Sequence, residues 1–451
     1  RARSIAHGGG VMRRRRPKLR LPRHRGTTAH VCSVYPFSVA AGLGHRGVYV
    51  GTDLLTGGGG FCWDPFEAYD QRLTTNPNTW VLGEPGNGKS ALVKTLLYRM
   101  AGIWGGERRR FVAICDPKGE YVGLAGALGL PIVRLAPGGT TRLNPLDPGP
   151  APDADDVERR VLHQVAMVNA LVATILARPL DPLEDALTFA AVDHLARHCT
   201  QPTLADVARL LTDPPTNVAE RVNRPVSQLA RDGETIVYAL DKLLTRSLRG
   251  MFDGASTLRI DWDGAGVVLD LSAVHQDPDA LPLVMVAATA WLQALMASGQ
   301  RRQRVQVLDE AWCLLGTRHT AAYLQSSWKL GRTYGVANIA IAHRPSDLAA
   351  QADDGTATAK IAAGLLADTA TKIVLRQAPD QLGPAADLLG FTPAERGVVG
   401  HLVRGRALWK VGAHTAVVQH HLAPREQAMC DTDQSMRTRV DVQESIGALR
   451  P

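Results

Sequence analysis

Along this chain, short apolar runs alternate with longer stretches of helical period. Trp80-Val-Leu82 reads as a buried strand, and Ala91 to Leu97 carries the spacing of a buried helix. The strand pattern returns at Phe111 to Cys115, Pro131 to Leu135, Gly266 to Leu271, Arg304 to Leu308, Val336 to Ala342 and Thr371 to Leu375. Short apolar strands separated by helices predict an α/β fold with a central, mainly parallel sheet. Leu281 to Ala297, interrupted by Pro282, Thr289 and Gln293, reads as a helix buried on that sheet, and it falls short of a membrane span. A further helix is expected from about His319 to Thr333. Ala407 to Val411 and Thr415 to Gln419 read as an edge hairpin.

One stretch breaks the alternation. After the Pro/Asp-rich linker from Asp147 to Asp156, the period is helical over Val161 to Leu176, Leu183 to His198 and Thr203 to Leu211, and again from Val237 to Leu244. Thr203-Leu-Ala-Asp206 has capping-box spacing, and Asp213-Pro-Pro215 is a stop. The pattern predicts a basic disordered arm (1–30) and a lead-in segment packed on the core (31–78). It predicts an α/β core (79–148 and 256–425), an all-helical insertion (149–255) and a loose polar tail (426–451).

Composition changes the picture at one end only. The 451 residues are 45% hydrophobic and 21% charged, an ordinary globular balance with room for two or three domains. Residues 1–50 hold eleven Lys or Arg and no acid, so the remainder carries 40 basic against 43 acidic residues. The high isoelectric point belongs to the arm. Such an arm fits nucleic acid or anionic lipid, and the plainer reading is a solvated segment. Met12 (or Val11), just before Arg13 to Arg16, is read as the true start. Six scattered cysteines without a C-x-x-C pair read as reduced, and no apolar stretch follows the arm as a signal peptide would; together these point to the cytoplasm.

The chemistry begins where the first strand ends. Gly83-Glu84-Pro85-Gly86-Asn87-Gly88-Lys89-Ser90, running into Ala91, has the spacing of a phosphate-cradling loop in its strand-to-helix context. Its glycines let backbone N–H groups turn inward, and the helix N-terminus adds its dipole. Lys89 supplies charge for the β- and γ-phosphates, and Ser90 offers a hydroxyl to Mg2+. The pattern implies a bound nucleoside triphosphate. Asp309-Glu310 closes another apolar strand, the end where ligands sit in open α/β sheets. Asp309 would hold the magnesium and Glu310 would orient the attacking water, which favours hydrolysis over kinase chemistry. Arg332 and Arg376 are candidates for a finger reaching a neighbour's site, or surface ion-pair residues. His343, at the end of the strand 336–342, could read the γ-phosphate through a water. His194 and His198 beside Cys199 make a half-site for zinc that no second cluster completes; packing histidines are the plainer reading.

Taken in order, several motifs resemble the VirB-four-type assembly ATPases of type IV secretion and conjugative transfer, members of the HerA/FtsK-like P-loop motors. They are Gly83 to Ser90, Asp116-Pro-Lys-Gly-Glu-Tyr121, Leu143-Asn-Pro-Leu146, Leu308-Asp-Glu-Ala-Trp312 and the run from Tyr334-Gly335 to Asp347-Leu348. The resemblance covers about 45–425, including Thr371 to Arg376 and Gly390-Phe-Thr-Pro-Ala-Glu395. It implies a RecA-like core and a hexameric ring at the cytoplasmic face of a conjugation or secretion channel. ATP would lie between subunits, and Arg332 and Arg376 would gain weight as trans-acting residues. Two departures stand out. Ala342-His343 replaces the family's usual Thr-Gln sensor, and only some 75 residues precede the P-loop where the family has a channel-docking domain. Two other readings are a DNA-pumping translocase of the coupling-protein or FtsK kind, and a nucleotide-gated scaffold with little hydrolysis.

Overall fold

The apolar runs become strands of one sheet. In the computed structural model, residues 42–106, 109–147, 157–258, 260–261, 264–297, 302–343 and 357–430 are described. The basic arm, most of the Pro/Asp linker, the run through Asp347 and the tail beyond Cys430 lie outside them. The described residues all belong to a unit spanning Ala41–Pro451.

The strands are β1 (Val48–Asp53), β2 (Gly59–Trp63), β3 (Thr79–Leu82), β4 (Phe111–Asp116), β5 (Ile132–Arg134), β6 (Gly266–Asp270), β7 (Arg304–Leu308), β8 (Val336–Ala342), β9 (Thr371–Val374), β10 (Arg406–Val411) and β11 (His414–His420). Their order is β2-β1-β11-β10-β9-β3-β8-β7-β4-β6-β5. From β9 to β5 every pairing is parallel. From β9 back to β2 every pairing is antiparallel. The fold is therefore α/β and RecA-like, with an antiparallel extension on one side. The lead-in segment supplies β1 and β2 of that extension, within the sheet itself.

Alternation along each strand feeds two cores. Trp80 and Leu82 pack into one, on the face that also buries the helical insertion, while Val81 packs into the other with Leu92, Val93 and Leu96 of the helix after β3. The helices are α1 (Pro65–Asp70), α2 (Lys89–Ile103), α3 (Val122–Leu128), α4 (Val157–Leu176), α5 (Pro182–His198), α6 (Leu204–Thr212), α7 (Thr216–Arg221), α8 (Val226–Leu244), α9 (Ala280–Ala297), α10 (Arg318–Gly331), α11 (Ala357–Asp368), α12 (Leu382–Leu389), α13 (Pro393–Gly400) and α14 (Pro424–Cys430). Helix α9 is the apolar one, and it lies buried on the sheet as expected. Among the described residues no helix is long and apolar enough to cross a membrane.

Helices α4 to α8 form the insertion between β5 and β6. Thr203 caps α6 through a reciprocal box with Asp206, and Asp181 caps α5 in the same way with Glu184. The Leu143-Asn-Pro-Leu146 motif is the joint where the chain leaves the sheet. Asn144 Nδ2 donates to Pro202 O at 2.8 Å, and its own N–H donates to Ser256 Oγ at 3.0 Å. Leu143 N–H donates to Met251 O at 2.8 Å. One asparagine thus ties the outgoing and returning strands of chain to the insertion.

The polar sequence after 424 reads as loose, yet residues 424–430 form α14. The cause is Arg99, on α2. Its guanidinium donates to Glu426 Oε1 and Oε2 at 2.7 and 2.6 Å, and to the carbonyls of Tyr49, Val50 and His421. A fork of donors meeting a buried carboxylate and three carbonyls anchors a segment whose Arg, Glu, Gln, Ala and Met favour helix but which is too short to hold one alone.

Beside this clamp, His420 Nε2 and Thr95 Oγ1 are 2.8 Å apart. Burial, then the Arg99 charge, lowers the His420 pKa from 6.5 to about 4. The unfolded chain therefore takes up a proton near pH 6.5 that the folded chain refuses until about pH 4. Stability from this group is complete above pH 6.5 and is lost as pH falls toward 4. Urea unfolding at pH 6.5 and 4.5 is expected to show a loss of about 2 kcal/mol that is missing in His420→Gln.

Candidate functional site

The loop after β3 is held by its neighbours. Gly83 N–H donates to His343 O at 3.1 Å, beyond β8, and Glu84 N–H donates to Arg376 O at 3.3 Å, beyond β9. A Cβ at Gly83 would meet Leu375 Cβ at 2.8 Å, so only glycine fits this close approach. Gly86 and Gly88 take φ of 79° and 99°, and a Cβ on either would meet nothing within 4 Å. The loop is thus bent by its glycines around open space. No side chain caps the N-terminus of α2. Its first amides are left for an anion.

Lys89 turns back into that space. Its Nζ donates to Gly83 O at 2.5 Å and to Glu84 O at 3.0 Å. Burial pulls its pKa down to about 8, against the opposing pull of Asp309 and Glu310. A lysine held on its own loop carbonyls, beside the uncapped start of α2, puts positive charge where a phosphate would bind. Ser90 and Ala91 are half-buried in the first turn of α2, Pro85 is exposed and Asn87 half-buried.

Asp309 and Glu310 follow β7, two strands away across β8. Asp309 is buried, and its N–H donates to Cys115 O at 3.2 Å. Burial first, and then the charges of Glu310, Glu120 and Asp116, raise its pKa to about 7. A buried acid among acids is a site short of positive charge. Glu310 sits at φ 54°, a left-handed conformation that side chains other than glycine rarely adopt. Three donors fix its carboxylate: Lys118 Nζ and His343 Nε2 (2.8 Å) on Oε1, and Trp312 Nε1 on Oε2. Burial raises its pKa, but the hydrogen bonds from His343 and Lys118 outweigh that and hold it at about 2.

His343 therefore lies against Glu310, as its place at the end of β8 allows. Arg376 has an exposed side chain and is bound by its backbone to this chain's own loop. Arg332 is elsewhere. It precedes β8, whereas the P-loop follows β3, so the two stand at opposite ends of the parallel strands. There it lines a pocket of 270 Å³ with Thr75, Asn78, Gln325, Trp328 and Asp368. His194 and His198 stack at 4.3 Å, and no group of three metal-ligating side chains occurs among the described residues.

Lys118 and Trp312 are the residues that motif reading passed over. Both lie inside quoted motifs, but their contact with Glu310 joins β4, β7 and the turn after β7. The available signal was a lysine placed just past the end of an apolar strand. Its backbone is rigid, because the Asp116 carboxylate accepts from the N–H groups of Lys118, Glu120 and Tyr121 at 3.3, 3.1 and 2.9 Å.

This geometry defines a P-loop NTPase fold of the RecA-like class, with a strand inserted between the loop strand and the acidic strand. Within that class the fold is that of VirB4 and TrwB. The chain is similar to VirB4 of Thermoanaerobacter pseudethanolicus, with TM-score 0.65 and 21% identity over 86% of this chain and 100% of that one. It is also similar to the bacterial conjugative coupling protein TrwBdeltaN70, at TM-score 0.54 and 14% identity over 84% and 89%. TrwB in complex with the non-hydrolysable GTP analogue GDPNP matches at TM-score 0.50 and 17% identity, over 77% and 86%. No protein-family model and no curated protein matches the sequence.

Proposed function

We propose that the protein is an ATP-hydrolysing motor of a conjugative transfer or type IV secretion system, working as a hexameric ring with its channel proteins at the cytoplasmic face. The observation that carries this reading is the pairing of an open, lysine-armed glycine cradle with a buried acidic pair at the same end of one sheet. Gly83 to Ala91 would hold the phosphates, with Lys89 leaving its loop carbonyls for them. Ser90 and Asp309 fit a magnesium ion, which would neutralise phosphate charge and relieve the acid-rich pocket around Asp309. Glu310 would align the attacking water, with His343 at its side. Arg332 and Arg376 would be the fingers that reach a neighbour's nucleotide.

The likeness in fold to VirB4 and TrwB supports the secretion and conjugation setting, and the complex with GDPNP supports nucleotide binding in such a fold. The basic arm would serve DNA or anionic lipid. Two measurements test the reading. Phosphate release by the purified chain with ATP and magnesium should exceed that of Glu310→Gln; equal inertness sinks the motor and leaves the nucleotide-gated scaffold. Mass photometry should show a ring with ATP and magnesium, and Arg332→Ala should lose turnover while still binding nucleotide. Turnover by a species that stays monomeric would reject the trans role of Arg332. Steep, salt-sensitive stimulation by DNA would favour the translocase instead.

A further inference from the structure

One carboxylate oxygen of Glu310 has both its lone pairs engaged. Its Oε1 carries two donors, Lys118 Nζ and His343 Nε2, and its Oε2 carries Trp312 Nε1. A carboxylate offers about four lone-pair sites, so both on Oε1 are taken and one is left on Oε2, beside Trp312. One of the two donors on Oε1 must leave if that oxygen is to accept from a water. Trp312 lies two residues along the same turn, and His343 is tied through its carbonyl to Gly83. Lys118 differs from both. Its side chain is 29% exposed, whereas that of Glu310 is 3% exposed. It also sits on a long flexible stem above a backbone that Asp116 holds still, so its ammonium can move while the loop does not.

Charge sets the direction of that movement. Lys118 is close enough to Lys89 for the two charges to oppose each other, so a second cation already faces the cradle. Nζ of Lys118 lies 3.3 Å from His343 Nε2, next to the residue whose carbonyl receives the first amide of the P-loop. A terminal phosphate carries more negative charge than one carboxylate and offers three oxygens. A diphosphate lacks the group that reaches this far.

We propose that Lys118 is a lock on Glu310 that the terminal phosphate of a bound nucleoside triphosphate opens. Empty or diphosphate-bound, the chain keeps Lys118 on Oε1. With a triphosphate, the ammonium transfers to a γ-phosphate oxygen and frees Oε1 to accept from a water. The same lysine then reports the γ-phosphate and releases the group that acts on it. This gives the chain a γ-phosphate sensor. The proposal rests on the reading of the site as an ATPase.

Equilibrium titration of the full chain with magnesium and either ADP or β,γ-imido ATP tests it. The wild type is expected to prefer the imido triphosphate by about tenfold or more, the value of one charge-assisted hydrogen bond. Lys118→Met should lose that preference, with ADP affinity within about twofold of wild type, and Lys118→Arg should restore most of it. The emission contributed by Trp312, taken as the difference from Trp312→Phe, should shift with the imido triphosphate and stay still with ADP. Retention of the wild-type preference in Lys118→Met overturns the lock and leaves the nucleotide site standing. Loss of ADP binding in both Lys118→Met and Lys118→Gln makes the residue structural and overturns it as well. A wild type that binds neither nucleotide overturns the lock together with the ATPase reading.

Discussion

Glu310→Gln is expected to lower kcat by about 10²- to 10⁴-fold, the usual contribution of a group that positions and polarises the attacking water. Gln has the same length and the same left-handed backbone cost, so the turn after β7 is kept. Its amide cannot satisfy the three donors that meet Glu310. If its oxygen faces Lys118 and His343, its NH2 opposes the Trp312 N–H; if it flips, it opposes the other two. One donor–donor clash should cost about 1 kcal/mol of stability, far less than the loss in rate. Nucleotide affinity should hold, because the cradle from Gly83 to Ala91 is untouched. Phosphate release at saturating ATP and magnesium, beside a binding titration, separates the two effects. Turnover within a factor of about three of wild type would remove Glu310 from the chemistry.

The largest effect on stability is expected at Arg110, far from nucleotide. Its guanidinium bonds to Asp64 and to Gln303 Oε1 at 2.9 Å, and it lies between the rings of Phe66 and Trp104 at 4.6 and 4.5 Å. Both ionic side chains are almost wholly buried, at 5% and 0% exposure. Asp64 also caps α1, accepting from the N–H groups of Phe66 and Glu67 at 3.0 and 3.1 Å. Arg110→Ala leaves a buried carboxylate with no counter-charge and two rings with nothing between them, so a loss of about 3–5 kcal/mol is expected by urea unfolding. Arg110→Met combined with Asp64→Asn should recover most of it, since Asn still caps and Met refills the slot. A loss below about 1 kcal/mol in Arg110→Ala would show that the pair is solvated in solution.

The parallel strands, the P-loop and the acidic pair were legible because each is local: an apolar run, a turn and the residues that follow. The capping box at Thr203 was legible for the same reason; the one at Asp181 was not read. What joins distant segments was not. The His343 bond to Glu310 spans two strands, and its partner Lys118 arrives from a third. Arg332 reads as a site residue by spacing, but its end of the strand could be known only once β8 was seen parallel to β3. Residues 424–430 are good helix formers in too short a run to stand alone, and Arg99, on α2, anchors them. The lead-in segment shows short β-like runs, but membership of the sheet depends on β11, near the other end of the chain.

That last pairing bears on how the protein is made. Gly51 lies opposite His420, and β3 meets β8 and β9 only after the whole helical insertion has been synthesised. At about 5–20 residues per second, the hairpin β1–β2 waits roughly 20–70 s on the ribosome for its partner. For most of that time, until β8 and then β9 emerge, β3, the centre of the finished sheet, has two open edges, and an open apolar edge is a template for pairing with another chain. Folding of this chain therefore begins with a nascent polypeptide whose open strands need shielding until β8 to β11 emerge.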